Sequence, residues 1–252
     1  MKIRVQIAAI IGAVLFFVAS PTYAQSQAES LSEQLLYAVK TEKPIDTILL
    51  QLAALNELSA TLNTDAKRKS FWLNIYNACI QIKLNKDKNA YRHRRLFFKR
   101  KDSIIANIAL SLNEIEHVIL RKNKSMLTLG YFHKTFTKQA LRRLEVDTFD
   151  NRIHFALNCG ATSCPPIRFY TSTEIETQLD IASQNYLMQQ TVIDTARNKI
   201  KISKLFLWFK GDFGTKNEVL MLLKKYQIIA PTSAPKIQYL PYNWRLAMHN
   251  YE

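Results

Sequence analysis

The sequence predicts an α+β fold that is mainly helical and carries a small β-sheet. Apolar residues recur at helical spacing over several segments, and Ser/Thr-x-x-Glu capping signals precede some of them. Two short segments instead alternate apolar and polar residues, as strands do. The chain of 252 residues has only 5 Gly, with no two at the spacing of a dinucleotide or phosphate loop, which argues against a Rossmann or P-loop enzyme.

The first segment has the pattern of an export signal. Lys2 and Arg4 precede an apolar run over 7–19, and Ala24 offers a small residue at a cleavage site. This pattern predicts a signal peptide over 1–24, cleaved after Ala24, and a periplasmic or secreted protein. An uncleaved anchor is the alternative, although the run is shorter than the roughly 20 residues of a membrane span.

Residues 25–62 are predicted to form a helical lead-in to a domain over 63–252. Ser30 and Glu33 have the spacing of a capping box at the start of a first helix. Pro44 is suited to open a second helix, whose apolar stripe continues to Leu62.

A third helix is predicted from about Asp65 to Leu84, with one apolar face. A polar stripe of Asn74, Asn77 and Gln81 runs beside that face. These amides either form a hydrogen-bonded scaffold or line a pocket. Cys79 lies among apolar and aromatic residues of the helix, so a buried and inert thiol is expected.

Residues 83–101 are densely basic and are interrupted by Tyr91, Leu96, Phe97 and Phe98. The segment is predicted to be a solvated, partly amphipathic loop or helix, with contact to an anionic lipid or polymer surface as an alternative. The net charge of the chain, +15, or +13 without Lys2 and Arg4, favours an anionic partner. Because the protein is expected to be exported, nucleic acid is the less expected partner.

A capping box at Ser111 and Glu114 predicts another helix with Ile115 on its apolar face. Glu116 flanks that face. Regular helical geometry places His117 on the opposite side, which predicts a surface histidine.

Residues 153–158 have the period of a strand, with Ile153 and Phe155 on one face and His154 and Asn158 on the other. The strand leads into 159–166, where Gly160 permits a tight turn between two cysteines.

This cysteine segment supports three readings. Cys164 is the better candidate nucleophile, because Pro165 and Pro166 would hold it at the rim of the loop, and Cys159 is the other. Either would use His154 or His117 as its base, and N–H groups near Gly160 could stabilise an oxyanion. The two cysteines could instead form a disulfide that clamps the loop, because an exported protein permits disulfides. A zinc site is the third reading, although the spacing matches no compact zinc motif.

The remaining elements are predicted from local signals. Thr173 and Glu176 suggest a capping box for a helix reaching about Met188, and residues 200–202 alternate as a short strand. Further helices are expected over 205–209 and 218–226. Asp212-Phe213-Gly214 copies a kinase metal-binding tripeptide, but the other kinase motifs are missing.

Read together, four segments of the chain resemble the domain of unknown function 547 family. They are Phe71–Ala78, Ser111–Arg121, Arg152–Pro166 and Leu207–Phe213. The resemblance covers about residues 60–250 and implies a compact, mostly helical α+β domain. It implies no established reaction.

The resemblance also implies a shared polar site at the motif positions Asn74, Asn77, Glu116, His117, His154, Asn158, Cys159, Cys164 and Asp212. The chain departs from the family pattern at three places. Asn243 stands where the family usually has Asp, Ala106-Asn107 replaces a glycine-containing turn, and Cys79 replaces an aromatic or aliphatic residue. The first departure puts an essential acid near the C-terminus in doubt.

The leading hypothesis is therefore a thiol-dependent hydrolase or acyl transferase that acts on a small molecule or a polymer. Its candidate catalytic groups are Cys164, Cys159, His117, His154 and Glu116, supported by Asn74, Asn77, Asn158 and Asp212. No cofactor and no metal are expected. The alternative is a non-enzymatic interaction domain with a Cys159–Cys164 clamp, which would contact an anionic surface.

Overall fold

The computed structural model describes residues 26–252, so the predicted signal peptide lies outside the described residues. The described chain has no helix that is long and apolar enough to cross a membrane. Its α-helices are α1 Gln27–Lys40, α2 Asp46–Ala53, α3 Leu58–Thr61, α4 Asp65–Lys86, α5 Arg94–Lys99, α6 Leu112–Glu114, α7 Gln139–Arg142, α8 Ile175–Gln189, α9 Leu205–Trp208, α10 Lys210–Phe213 and α11 Lys216–Lys225.

Two small sheets complete an α+β fold that is mainly helical, as the sequence predicts. Strands β1 Ser103–Ile105 and β2 Ile108–Leu110 form an antiparallel hairpin. In the other sheet β4 Lys199–Ile202 is central, antiparallel to β3 Thr191–Asp194 and parallel to β5 Lys236–Tyr239. The predicted alternation over 200–202 is confirmed, because Ile200 and Ile202 are buried and Lys201 between them is exposed.

Helix α4 is the centre of the larger core. Thr64 caps it by accepting the Lys67 N–H, and α1 packs along it. Neighbouring elements cover the helix on all sides between residues 69 and 84, so its polar stripe is buried as well as its apolar face. Cys79 is buried and unpaired, as the sequence predicts.

The N-terminal helices differ from the prediction in their boundaries. The capping box uses Ser26 and Glu29, so α1 begins one turn before the predicted Ser30–Glu33 box. The predicted helix over 44–62 is broken into α2 and α3, because Glu57 adopts a left-handed backbone conformation with φ +50°. Helical periodicity alone does not report such a break.

The prediction that His117 lies on the surface is wrong. The Ser111–Glu114 capping box forms as predicted, but the backbone then winds as a π-helix over Ile115–Leu120. The wider π turn rotates the residues after it relative to an α-helix, and His117 is only 3% exposed.

The predicted strand over 153–158 is also wrong, because Asn151–Phe155 form a 3-10 turn. The Asp150 carboxylate accepts the Arg152 N–H and caps this turn. Ile153 packs into the core around α4, whereas Phe155 packs into a second core that contains β4 and α9–α11. The alternating apolar residues therefore pack into two different cores, and His154 lies where those cores meet.

The C-terminal half is closer to the prediction. The helix after residue 173 is α8, but Glu174 caps it without a side-chain hydrogen bond, so the predicted Thr173–Glu176 box is wrong. The aromatic helix forms as α9, and α10 follows directly. Thr215 and Glu218 form a capping box at the start of α11.

Candidate functional site

A cavity of about 340 Å³ lies where the two cores meet. Its polar lining includes Glu116, His117, His154 and Cys159, which the sequence predicts as candidate catalytic groups. The other walls are apolar and aromatic, with Phe98, Met126, Leu129, Leu157, Leu205, Trp208, Phe209, Tyr242 and Trp244 among them. A concave apolar space with a few convergent polar groups is the usual form of a small-molecule site. We call it the site cavity.

A larger groove of about 1020 Å³ lies elsewhere, between α2, α5 and β1. The thiol in this groove belongs to Cys79, and burial raises the pKa of that thiol to about 11. A thiol with that pKa stays protonated at neutral pH, so this groove offers no reactive sulfur.

Glu116 lines the site cavity, and its side chain is 15% exposed. Burial raises its pKa to about 7, against the opposing charge of Arg121. The Tyr76 hydroxyl donates to Glu116 Oε2 over 3.3 Å. A carboxyl group that titrates near neutral pH can both give and take a proton, which is the property of a general acid or base.

His117 is held by the residue one helical turn later. Arg121 Nη1 lies 3.0 Å from His117 Nδ1, and a guanidinium can only donate, so Nδ1 accepts. The neutral ring therefore carries its proton on Nε2. Burial and the charge of Arg121 hold the pKa of His117 well below its usual value, so the ring is a neutral hydrogen-bond donor.

The buried carboxylate of Asp212 is contacted by three side chains, those of Arg121, His154 and Lys124. Arg121 Nε and His154 Nε2 contact Oδ2 at 2.6 and 2.7 Å, and Lys124 Nζ lies 3.1 Å from Oδ1. Burial raises the pKa of Asp212, but the hydrogen bonds from His154 and Arg121 outweigh it and keep the carboxyl ionised. These four residues form what we call the cavity cluster.

His154 is therefore a neutral base oriented by a carboxylate. Burial lowers its pKa to about 4, despite the contact with Asp212, because two cations already share that carboxylate. Its Nε2–H donates to Asp212, so the lone pair of the neutral ring is on Nδ1. Phe209 stacks on the ring with 4.1 Å between centroids and fixes its orientation.

Two of the rare glycines allow the chain to lie against Asp212. A Cβ on Gly130 would meet Asp212 Oδ1 at 2.3 Å, and a Cβ on Gly211 would meet the backbone of Gly130 at 2.5 Å. The Gly211 N–H donates to Leu129 O over 2.8 Å, which holds the two segments together.

Cys159 and Cys164 form a disulfide, so neither sulfur is a thiol in this form of the protein. Cys159 lines the site cavity, whereas Cys164 is only 5% exposed and is not part of the wall. The Tyr242 hydroxyl lies 3.2 Å from both sulfurs, and the Cys159 N–H donates to Cys164 Sγ over 3.0 Å. The Gly160 N–H is bound by Asn158 Oδ1, so it is not a free oxyanion donor here.

The predicted supporting asparagines are scaffolding. Asn74 pairs with both backbone groups of Tyr170, and Asn77 joins α4 to Ala156 O and to the Asn158 N–H. Asn158 Nδ2 in turn donates to Pro165 O over 2.7 Å. These bonds fix the cysteine loop against α4, and their polar atoms are used inside the protein.

Tyr242 and Trp244 form an aromatic wall with Trp208, with ring centroids 4.7 to 5.7 Å apart. The intervening Asn243 Oδ1 accepts the Arg245 N–H and so caps a local turn. The departure from the family's usual Asp at this position therefore falls on a turn, and the buried acid of the site is Asp212.

Sequence reasoning missed Arg121, Lys124, Tyr76 and the aromatic wall. Arg121 follows His117 by four residues, a spacing that could have paired them on one helix. No sequence pattern points to Lys124, because it contacts Asp212 from a segment without regular secondary structure. Within 26–252, no group of three or more His, Cys, Asp or Glu side chains is arranged to hold a metal ion.

Comparison with known proteins gives one finding. The family model described as "Protein of unknown function, DUF547" matches residues 60–187, just over half of the chain. Glu116, His117, His154 and both bonded cysteines lie in the matched segment, whereas Asp212 and Tyr242 lie beyond it. No curated protein and no solved structure matches the chain significantly.

Proposed function

The chain belongs to this family of unknown function, and we propose that it is a thiol-dependent hydrolase or acyl transferase whose active site is the site cavity. The observation that carries the proposal is that Cys159, His154 and Glu116 line the same cavity. A nucleophile, an oriented base and a group that titrates near pH 7 are the parts that acyl transfer needs.

In this proposal His154 is the general base. Its Nε2–H is committed to Asp212, which leaves Nδ1 to accept the proton of the Cys159 thiol. The carboxylate fixes the tautomer and the ring orientation, as the acid does in a Ser-His-Asp triad. His117 is a poorer base, because its Nδ1 lone pair already faces Arg121.

Glu116 and His117 supply the complementary roles. The thiolate of Cys159 adds to the carbonyl carbon of an ester, thioester or amide, and the Nε2–H of His117 donates to the resulting oxyanion. Protonated Glu116 gives its proton to the leaving group as the acyl–sulfur intermediate forms. Water or a second acceptor then releases the acyl group, with the proton returning through the same groups.

The disulfide makes this structure the resting form. An external dithiol would deliver two electrons and two protons, become a disulfide itself, and leave thiols on Cys159 and Cys164. The leader pattern supports a periplasmic or secreted location, where such exchange occurs. Cys159 is the accessible sulfur, so the proposal transfers the nucleophile role from the predicted Cys164 to Cys159.

The test is hydrolysis of p-nitrophenyl acetate and of a short acyl thioester, with and without a phosphine reductant. We expect turnover only after reduction, and a loss of about a hundredfold or more in His154→Gln. Cys159→Ser should be inactive in all conditions. Cys164→Ser should be active without reductant, because it frees Cys159, and Cys79→Ser is the matched control.

The result that would overturn the proposal is turnover that survives in both Cys159→Ser and Cys164→Ser, or its absence in reduced protein against ester, thioester and amide probes. Activity in Cys159→Ser together with its loss in Cys164→Ser would return the nucleophile role to Cys164.

A second candidate function is favoured by the disulfide itself. The clamped loop and the aromatic wall would form a non-enzymatic binding site for a small molecule or a polymer end. The loop is also paired to the C-terminal segment, through Thr162 to Arg245 O and Ala247 to Gly160 O. This function predicts ligand-induced quenching of Trp208 and Trp244 fluorescence that weakens when the disulfide is reduced, with no turnover in either form.

A further inference from the structure

We propose that residues 125–136, together with the basic segment that follows, dock the protein onto an anionic lipid bilayer. We call residues 125–136 the apolar loop. The proposal concerns a surface outside the site cavity and does not depend on thiol chemistry.

The apolar loop concentrates exposed apolar side chains. Leu127 and Phe136 are 96% and 97% exposed, and Phe132 is 69% exposed. Met126, Leu129 and Tyr131 are also exposed, so six large apolar side chains face solvent within one short segment. Large apolar patches on soluble domains usually mark a partner or a membrane contact.

These side chains are exposed although the backbone of the apolar loop is tightly bonded. The Ser125 N–H donates to Phe132 O over 2.8 Å, and the Gly130 N–H donates to Ser125 O over 2.9 Å. Buried Asn123 holds the C-terminal end of the apolar loop, because its Nδ2 donates to Lys134 O and its Oδ1 accepts from the Thr137 hydroxyl. The fold therefore presents the apolar side chains on a braced loop.

The charge around the apolar loop identifies the partner. No Asp or Glu occurs from Lys122 to Leu144, whereas six Lys and Arg residues do: Lys122, Lys124, Lys134, Lys138, Arg142 and Arg143. Lys138, Arg142 and Arg143 have exposed side chains, with Arg142 Nε 3.7 Å from Glu145 Oε1. Lys124 is held inside by Asp212 and does not contribute. Apolar side chains that enter the acyl boundary and cations that meet anionic headgroups are the two attractions of an interfacial anchor.

The basic stretch at 83–101, which the sequence offers as an anionic-surface contact, is less suited to this role. Its aromatic residues Tyr91 and Phe97 are each 4% exposed and belong to the core around α4. Lys83 is paired with Asp102 at 2.7 Å. The cations of this stretch remain outside, but only Leu96 offers a large exposed apolar group.

Docking through the apolar loop would place the site cavity close to the bilayer, because Met126 and Leu129 form part of the cavity wall. Leu127, Phe132 and Phe136 are not part of that wall. These three residues can therefore be changed without altering the cavity lining.

The experiment is flotation of the full chain with vesicles of phosphatidylglycerol and phosphatidylcholine, and with phosphatidylcholine alone. We expect binding to the anionic vesicles that weakens between low and high salt. The triple variant Leu127→Ser/Phe132→Ser/Phe136→Ser should lose about tenfold or more in affinity. The matched control Leu50→Ser/Leu96→Ser/Ile104→Ser removes exposed apolar groups elsewhere and should change affinity less than about twofold.

Charge-reversal variants measure the electrostatic contribution to vesicle binding. The variant Lys138→Glu/Arg143→Glu should weaken vesicle binding more than Lys86→Glu/Lys88→Glu does. The single change Phe136→Ser is a variant that should leave the fold intact, because Phe136 is almost fully exposed. The proposal is overturned if wild type does not float with anionic vesicles, or if the control variants lose as much as the loop variants. Concentration-dependent self-association that the loop variants abolish, without vesicle binding, would assign the loop to a second copy instead.

Discussion

Two charged clusters flank the 3-10 turn Asn151–Phe155, and they differ in how completely their charges are compensated. The Asp150 cluster has three acids and three cations that pair with one another: Asp150, Glu176 and Asp180 with Lys69, Arg152 and Lys225. Glu176 is 65% exposed, so water and salt reach this cluster. Such a network holds α8 and the turn together.

In the cavity cluster the cations outnumber the acid. Arg121 and Lys124 share the single carboxylate of Asp212, and His154 stays neutral beside them. Arg121 is fully buried, and its Nη2 has no hydrogen-bond partner. An excess of buried positive charge beside a cavity is costly for folding, but it favours a negative charge that develops on a substrate. The comparison separates a charge-balanced structural cluster from one that holds an uncompensated cation beside the site cavity.

The two clusters should differ most in the free energy of unfolding that is lost when the central carboxylate of each is neutralised. Asp212→Asn leaves the charge of Arg121 buried without a counter-ion, so we expect a loss of about 3–5 kcal/mol in the free energy of unfolding. Asp150→Asn should cost about 2 kcal/mol, because Lys69 and Arg152 keep Glu176 and Asp180 as partners. Urea denaturation at pH 7 measures both. Equal losses would remove the distinction between the clusters.

The pH dependence of stability should separate the two cavity groups whose pKa values move in opposite directions. His154 is neutral in the native state down to about pH 4, so its contribution is present above pH 6.5 and is lost as the pH falls towards 4. Glu116 holds its proton up to about pH 7, so its contribution is present below pH 4.5 and is lost as the pH rises through 7.

Each contribution amounts to about 3 kcal/mol over its range, and the two partly cancel in the wild type. Glu116→Gln should therefore make stability rise more steeply between pH 4.5 and 6.5, and His154→Gln should flatten or reverse that rise. The exposed His93→Gln is the control. Parallel profiles for the two cavity variants would contradict the assigned pKa directions.

Reduction of the Cys159–Cys164 disulfide should have an intermediate effect. The bond closes a short loop, for which the loss of chain entropy predicts about 2 kcal/mol. The loop should stay folded after reduction, because Asn158 and the pairing to the C-terminal segment still hold it. Denaturation of the Cys79→Ser protein with and without reductant measures the loss. Unfolding on reduction would leave the proposed thiol form without a folded site.

The smallest effect should come from the exposed edge of the Asp150 cluster. Glu176→Gln removes contacts to Arg152 and Lys69, but the side chain is mostly solvated, so we expect about 1 kcal/mol or less. High salt should reduce even that difference. A larger loss that salt does not change would mean that this edge is as important to folding as the buried side.

The sequence predicts the helical framework because capping and periodicity are local signals. The Ser111–Glu114 box and α4 form as predicted, and the motif segments bring Glu116, His117, His154 and Cys159 together. Local signals fail where tertiary packing decides the backbone. The π turn that buries His117 and the 3-10 turn that sends Ile153 and Phe155 into different cores follow from the meeting of two cores, which no single segment reports.

The same limit applies to the groups that complete the site. Asp212 is predicted only as a supporting residue, because its contacts to Arg121 and His154 join positions 91 and 58 residues apart. Cys164 looks the more reactive cysteine from its neighbouring prolines, whereas burial decides that Cys159 reaches the cavity.

The most direct test of the proposed site is kcat/KM of the reduced protein for a p-nitrophenyl ester between pH 3.5 and 9. If neutral His154 is the base and protonated Glu116 the acid, activity should rise with an apparent pKa near 4 and fall with one near 7. Glu116→Gln should lower the maximum and remove the fall above pH 7. Activity that instead climbs steadily towards pH 9, as for an unassisted thiol with a pKa of about 8.5, would contradict the account.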